Sequence, residues 1–336
     1  MNPFPHDKGE ALQQRVIALI KPLIPPDAQE RVIRAYKEFS KIVRSHIRSE
    51  TRLSLADDEN RDSVPVKIVE GFPVGIAQLI DKYQDRTLWR LILALPKLGG
   101  IVDGLGLLVA NWEEFERWLE LPDSVKGSKP ALEKSVEVAK TLQALAVTKK
   151  VFEQLKEINE DILGVYRFGD VQGPRVEIFW MAHALFAGAF ALRIEDLTVV
   201  TLAHELSHAY THVGRSIDGK AWVEPGFGSS DLRVVEGLAQ FYTLAVAVKL
   251  NIRAPGVFQA FTKLLEFQSA PYKAHAEWLK DSPNQLGESV RFAMLRARSR
   301  GQVANDAWLT MLAETKAILS AQSPQKGSND VRQPIS

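Results

Sequence analysis

Residues 204–208 read His-Glu-Leu-Ser-His, and a third histidine, His212, follows at the same interval of four. That interval places His204 and His208 on one face of a helix, one turn apart, where their imidazoles can share a small cation. Glu205 sits about 100° round the helix axis, near such a cation but angled away from the ligand pair. A glutamate in that place suits a general base. The predicted chemistry is metal-assisted hydrolysis, in which the metal lowers the pKa of a water and Glu205 takes its proton. His212 lies about 12 Å along the axis from His204, too far to share one ion, and is expected at the rim of the pocket. Upstream, Thr198, Val199, Val200, Leu202 and Ala203 give the helix an apolar side to bury, with Asp196 or Thr198 serving its N-terminal end. A merely solvated polar stripe would not need Glu205 beside that apolar run.

An open hydrolytic site built on two histidines takes its third protein ligand from elsewhere in the chain. After a gap of 27 residues (209–235) the chain reads Glu236-Gly237-Leu238-Ala239-Gln240-Phe241-Tyr242. HELSH followed by EGLAQFY resembles the gluzincin zinc metallopeptidases, over about a tenth of the chain. The resemblance implies a zincin-like fold: a sheet whose edge strand pairs with the peptide substrate, the histidine helix beneath it, and a second helix delivering a glutamate. It makes His204, His208 and Glu236 the ligands of one Zn2+ per chain and Glu205 the base. It also implies an oxyanion donor after the third ligand, for which Tyr272 and His275 are candidates, with Tyr242 behind them. The interval to Glu236 is longer than in thermolysin or the aminopeptidases. Glu224, in Ala-Trp-Val-Glu-Pro-Gly-Phe-Gly, is the rival third ligand. Pro225 and two glycines make that stretch a loop, whereas Asp231 caps a helix carrying Glu236 beside Val235, Leu238, Ala239 and Tyr242, so Glu236 is favoured. The metzincin pattern fails, because Thr211 and Gly214 stand where it requires a glycine and a histidine.

The remainder of the chain must position these residues. It has 336 residues and no cysteine, so any metal is held by His, Asp and Glu. Manganese or cobalt could take such a site, but two histidines and a carboxylate in a hydrolytic setting favour zinc. Lys+Arg 42 against Asp+Glu 41 gives no global field for nucleic acid. The expected partner is a peptide or protein substrate. The N-terminal residues lack the apolar core of a secretory signal, and a soluble, cytoplasmic protein is expected. Leu88 to Trp112 carries Arg90, Pro96, Lys97 and Asp103 among apolar residues and glycines, and is expected as a buried helical hairpin, with membrane contact the minority reading. Ile178 to Leu192 contains His183 and is too short to span a bilayer.

Residues 1–160 carry a helical pattern, as in Val32, Ile33, Tyr36, Phe39, Ile42 and Val43, interrupted by loops at 54–63 and 121–130. Ile162 to Phe168 and Arg175 to Met181 are short β-branched and aromatic runs around a turn-rich link, which predicts an antiparallel pair with Arg175 to Met181 as the substrate-binding edge and His183 at its end. Helices follow at 197–213, 232–250, 257–267, 272–280 and 288–299. The expected fold is α+β, mostly α: an all-helical N-terminal region (1–160) that covers or regulates the cleft, a zincin-like domain with a small antiparallel sheet (161–315), and a disordered tail (316–336). The expected function is peptide-bond hydrolysis. Its alternatives are a latent or inactive zincin scaffold acting as a sensor or binding module, and a membrane-active effector working through residues 88–112.

Overall fold

A computed structural model describes residues 6–56, 63–119, 125, 127–158, 161–280 and 286–322. The chain is mostly helical, with one small mixed sheet. The N-terminal half contains α1 (His6–Ile20), α2 (Ala28–Thr51), β1 (Val66–Val69), α3 (Val74–Lys82), α4 (Arg86–Ala110), α5 (Trp112–Leu119), α6 (Lys129–Gln143) and α7 (Ala146–Glu157). Then come β2 (Gly164–Arg167), β3 (Arg175–Phe179), α8 (Trp180–Phe190), α9 (Ile194–Val213), α10 (Gly226–Ser229) and α11 (Leu232–Leu250). The chain continues through α12 (Pro255–Phe267), α13 (Ala270–Lys273), α14 (His275–Trp278), α15 (Leu286–Arg300) and α16 (Asn305–Gln322).

The expected antiparallel pair forms, with Gly164 opposite Ile178 and Arg167 opposite Arg175. The sheet, however, is mixed rather than antiparallel: β1 joins β3 in parallel, Val66 opposite Val176, in the order β1-β3-β2. Two expectations change. The N-terminal region is not all helical, because it supplies a strand, and β3 is the central strand rather than a substrate-binding edge. Among the described residues the short run Val-Lys-Ile-Val has no turn-linked partner in its own half, and it pairs with a strand far along the chain. The edge strand beside α9 is β2. Phe179 N–H donates to Leu163 O (3.0 Å), so Leu163, Val165 and Arg167 face β3 with their backbone groups, and those of Gly164 and Tyr166 face outward.

The histidine helix α9 is buried from Ile194 to His212 apart from Glu195. Several of its hydroxyls are satisfied inside the helix: Thr198 Oγ1 donates to Ile194 O (2.8 Å) and Ser207 Oγ to Ala203 O (2.6 Å). Such bonding lets these hydroxyls run through a core without being orphaned. Asp196 lies in its first turn, where a carboxylate complements the helix dipole, and the helix starts earlier than its apolar pattern suggests. α2 lies along α9, burying Val32, Ala35, Phe39, Val43 and Ile47 at three- and four-residue intervals. One continuous apolar core runs from Val16 to Leu312, so residue 160 marks no break in packing.

Residues 86–110 form one continuous helix, not a buried hairpin. Pro96 removes a single backbone donor and the glycines lower helix propensity, but neither ends a helix whose start is capped by Asp85 accepting from Thr87 N–H (2.7 Å). Only Leu88, Trp89, Ile92 and Val102 of it are buried. Trp112 at the start of α5 is buried. The predicted helix at 272–280 is two short helices, α13 and α14. At the C-terminus, α16 continues through Gln322 into the stretch expected to be disordered, and residues 323–336 lie outside the described ones, as do most of the two polar loops.

Candidate metal centre

Four side chains from three parts of the chain converge: His204 and His208 from α9, Glu236 from α11, and Asp161 from the residues just before β2. Their potential ligand atoms all lie within 4.8 Å of one another. His204 Nε2 lies 3.1 Å from His208 Nε2, 3.2 Å from Glu236 Oε2 and 3.2 Å from Asp161 Oδ1. Glu236 Oε2 is 3.4 Å from His208 Nε2. Ligands placed 2.0–2.2 Å from one ion at tetrahedral angles stand about 3.4 Å apart, so these separations are those of a coordination sphere. The donor set, two imidazoles and two carboxylates, fits a divalent cation.

The helices hold this geometry through close packing. Asp231 caps α11 by accepting from Arg233 N–H (2.9 Å), as its position before the apolar run implies. Next to Glu236, a Cβ on Gly237 would lie 2.6 Å from the Trp278 ring, so glycine lets α14 press against the ligand-bearing turn. On the other side, a Cβ on Gly164 would lie 2.9 Å from Glu205 Oε1 and 2.7 Å from Thr201 Cγ2. The edge strand therefore runs directly over the helix. Tyr166 N–H, on the outer edge of β2, donates to the Glu205 carboxyl.

Burial makes the electrostatics demanding. His204, Glu205, His208 and Glu236 are all at most 8% exposed. Burial and the nearby Asp161 charge hold the Glu205 carboxyl well above the usual range. Burial would raise Glu236 too, but His208 and His204 outweigh it and bring Glu236 down to about 2. Burial opposes a charge on His204, yet Asp161, Glu236 and Glu205 hold its imidazolium well above the ordinary histidine value. Without a metal the cluster is balanced by a proton on His204, a place that a bound cation would take while compensating the carboxylates of Asp161 and Glu236. Among the described residues, Glu236 Oε2 and Glu205 Oε2 are buried with no hydrogen-bond partner. Such orphaned groups are costly unless a ligand satisfies them.

The structure also sorts the other sequence candidates. Tyr272 is at the centre: its O–H donates to Asp161 Oδ1 (3.0 Å) and its ring stacks on His204 at 5.7 Å. His275 stands one step behind, with Nδ1–H donating to Tyr272 O (3.0 Å) and its ring against Phe261. Tyr242 is elsewhere, its O–H directed at Met294 Sδ (3.8 Å). Glu224 lies beside Gly169, after β2, and is not in the cluster. His212 packs flat on Phe227 at 4.4 Å and meets the Tyr166 hydroxyl at 3.1 Å, away from the ligand set. His183 is in α8, not at a strand end. It donates from Nδ1 to Phe179 O (2.9 Å) and accepts from Thr201 O–H at Nε2 (3.1 Å), which fixes a neutral ring.

Two residues escaped the sequence reading. Asp161 had no motif to mark it, being a lone aspartate where the helical pattern gives way to the strand pattern. Gln240, one turn beyond Glu236, is buried, donates to Gln268 Oε1 (2.9 Å) and leaves its own Oε1 unpartnered. The two border a cavity of about 30 Å3 that Gly164, Thr201, His204 and Glu205 also line. Comparisons of the chain with protein-family models, curated proteins and solved structures found no match.

Proposed function

We propose that the protein is a single-zinc metallopeptidase with a zincin-like catalytic region, in which His204, His208 and Glu236 hold the metal. The observation carrying this reading is the convergence of those three ligands beside a glutamate, Glu205, that is not one of them. A bound zinc would supply Lewis acidity to the scissile carbonyl and to a water. Glu205 accepts a proton from that water and passes it to the leaving amine. Tyr272 is placed to donate to the oxyanion that develops at the attacked carbonyl, and His275 positions Tyr272 through its carbonyl. The substrate lies extended along the outer edge of β2, where the backbone groups of Gly164 can pair with it directly above Glu205, whose carboxyl takes the Tyr166 N–H.

Elemental analysis of the purified protein beside Glu236→Ala tests the metal centre. About one zinc per chain, lost or weakened in the variant, is the expected result. No zinc in the wild type after zinc is offered and the excess removed would end the proposal.

One observation favours a second reading. α4 has 25 residues and a mean hydropathy of 1.7 over its most apolar 18-residue window, of which 11% is buried. A helix this apolar and this uncovered can work at a membrane, which would make the protein a membrane-active effector carrying a peptidase centre.

A further inference from the structure

We infer that Asp161 closes the metal centre, its carboxylate filling the fourth coordination position and keeping the site latent until that carboxylate swings away. The inference rests on the metallopeptidase reading above and concerns the regulation of the same site. A hydrolytic zinc has three protein ligands and keeps one position open, whereas a structural zinc has four. Among the described residues, this cluster has four. Asp161 Oδ1 stands as close to His204 Nε2, 3.2 Å, as Glu236 Oε2 does, and its ligand atom lies within 4.8 Å of the other three, while Glu236 also reaches His208 at 3.4 Å; the aspartate therefore belongs to the cluster as its more loosely held member.

Three further features make Asp161 the ligand that leaves. His204, His208 and Glu236 are fixed on long buried helices, while Asp161 belongs to no helix or strand. Its side chain is 16% exposed, against 7%, 5% and 11% for the other three, so solvent already reaches it. The cavity it borders, about 30 Å3, has room for about two waters and none for a peptide side chain. Withdrawal of Asp161 would widen that cavity between Gly164 and Gln240, beside the β2 edge.

The same movement would change Tyr272. Its hydroxyl is spent on Asp161 Oδ1 at 3.0 Å, so the proposed oxyanion donor is engaged by the closing ligand. When Asp161 leaves, one event opens a coordination position and frees the donor. Tyr272 is in this respect a positioning residue, holding Asp161 on the metal. Nothing covalent changes; one carboxylate–metal bond is exchanged for a bond to water or to a competing ligand.

The test is ligand access to the cobalt-loaded protein, read from the visible absorption of Co2+, which reports coordination number without turnover. Full-length wild type, Asp161→Ala, Asp161→Asn and Tyr272→Phe are each loaded with Co2+ and titrated with acetohydroxamate. The wild type is expected to show a four-coordinate spectrum that resists acetohydroxamate, and Asp161→Ala to respond at roughly tenfold lower concentration or less, while holding Co2+ more weakly. Asp161→Asn keeps the side-chain volume and should shift in the same direction, which separates ligand loss from misfolding. Tyr272→Phe should shift part of the way with Asp161 intact, which a purely structural tyrosine would not do. Equal Co2+ affinity and equal acetohydroxamate response in wild type and both Asp161 variants would overturn the inference and leave the three-ligand centre standing. Failure of the wild type to bind Co2+ at all would overturn the centre itself.

Discussion

Gly164 and Glu205 are in contact across the interface between the edge strand and the histidine helix, so close that a methyl group on the strand would stand 2.9 Å from the glutamate's Oε1. The relationship ties the proposed substrate edge and the proposed base into one unit. It also gives a prediction. Gly164→Ala must push Glu205 or β2 aside, and overpacking of this kind costs about 1–3 kcal/mol. Chemical denaturation should show that loss, and hydrolysis should fall further than stability alone explains, because the base is displaced. Unchanged activity in a folded Gly164→Ala protein would detach Glu205 from the chemistry.

Glu205→Gln should keep the metal and lose hydrolysis by roughly 10²–10⁴-fold, the usual contribution of a positioned base. The amide preserves shape and cannot accept the proton. Metal stoichiometry and turnover of the same preparation check both halves; full turnover in this variant would remove the mechanism.

The pH dependence of stability should carry the signature of His183. Burial lowers its pKa from 6.5 to about 4, against the hydrogen bond to Phe179 O. The folded state therefore prefers the neutral ring, while the unfolded chain takes up a proton below about pH 6.5. Stability from this group is complete above that pH and is lost as the pH falls toward 4, by about 2 kcal/mol at pH 5. His183→Gln should be less stable at pH 7, and its stability should fall less between pH 7 and 5. Parallel curves for the two proteins would contradict this.

Liposome flotation of the full-length protein separates the two functional readings of α4. Partitioning into vesicles that is reduced by Leu107→Glu, at a position 67% exposed, would support membrane action. Equal recovery of both proteins in the soluble fraction would leave α4 as a surface for some other purpose.

The centre was legible where its chemistry obeys helical spacing. His204, Glu205 and His208 follow from an interval of four, and Glu236 from a capped helix whose bounds, Leu232 to Leu250, match the structure. Asp161 was not legible, because a single aspartate between two patterns carries no period. The hairpin β2–β3 was readable from its turn, but β1 was not: a parallel partner is set by tertiary pairing, and four residues of Val-Lys-Ile-Val fit a helix as well. α4 misled because proline and paired glycines usually break helices, and here they do not.

The parallel pairing of β1 with β3 also sets an order of events during synthesis. Val66 meets Val176, 110 positions later, so at a ribosomal rate of 5–20 residues per second the first strand waits about 5–20 s for its neighbour to be made. Through that interval the apolar face of α2 has no α9 to cover it. All four members of the metal cluster are made after residue 160. The nascent N-terminal half thus cannot close its own sheet, and the candidate metal cluster is complete only once Glu236 has been made.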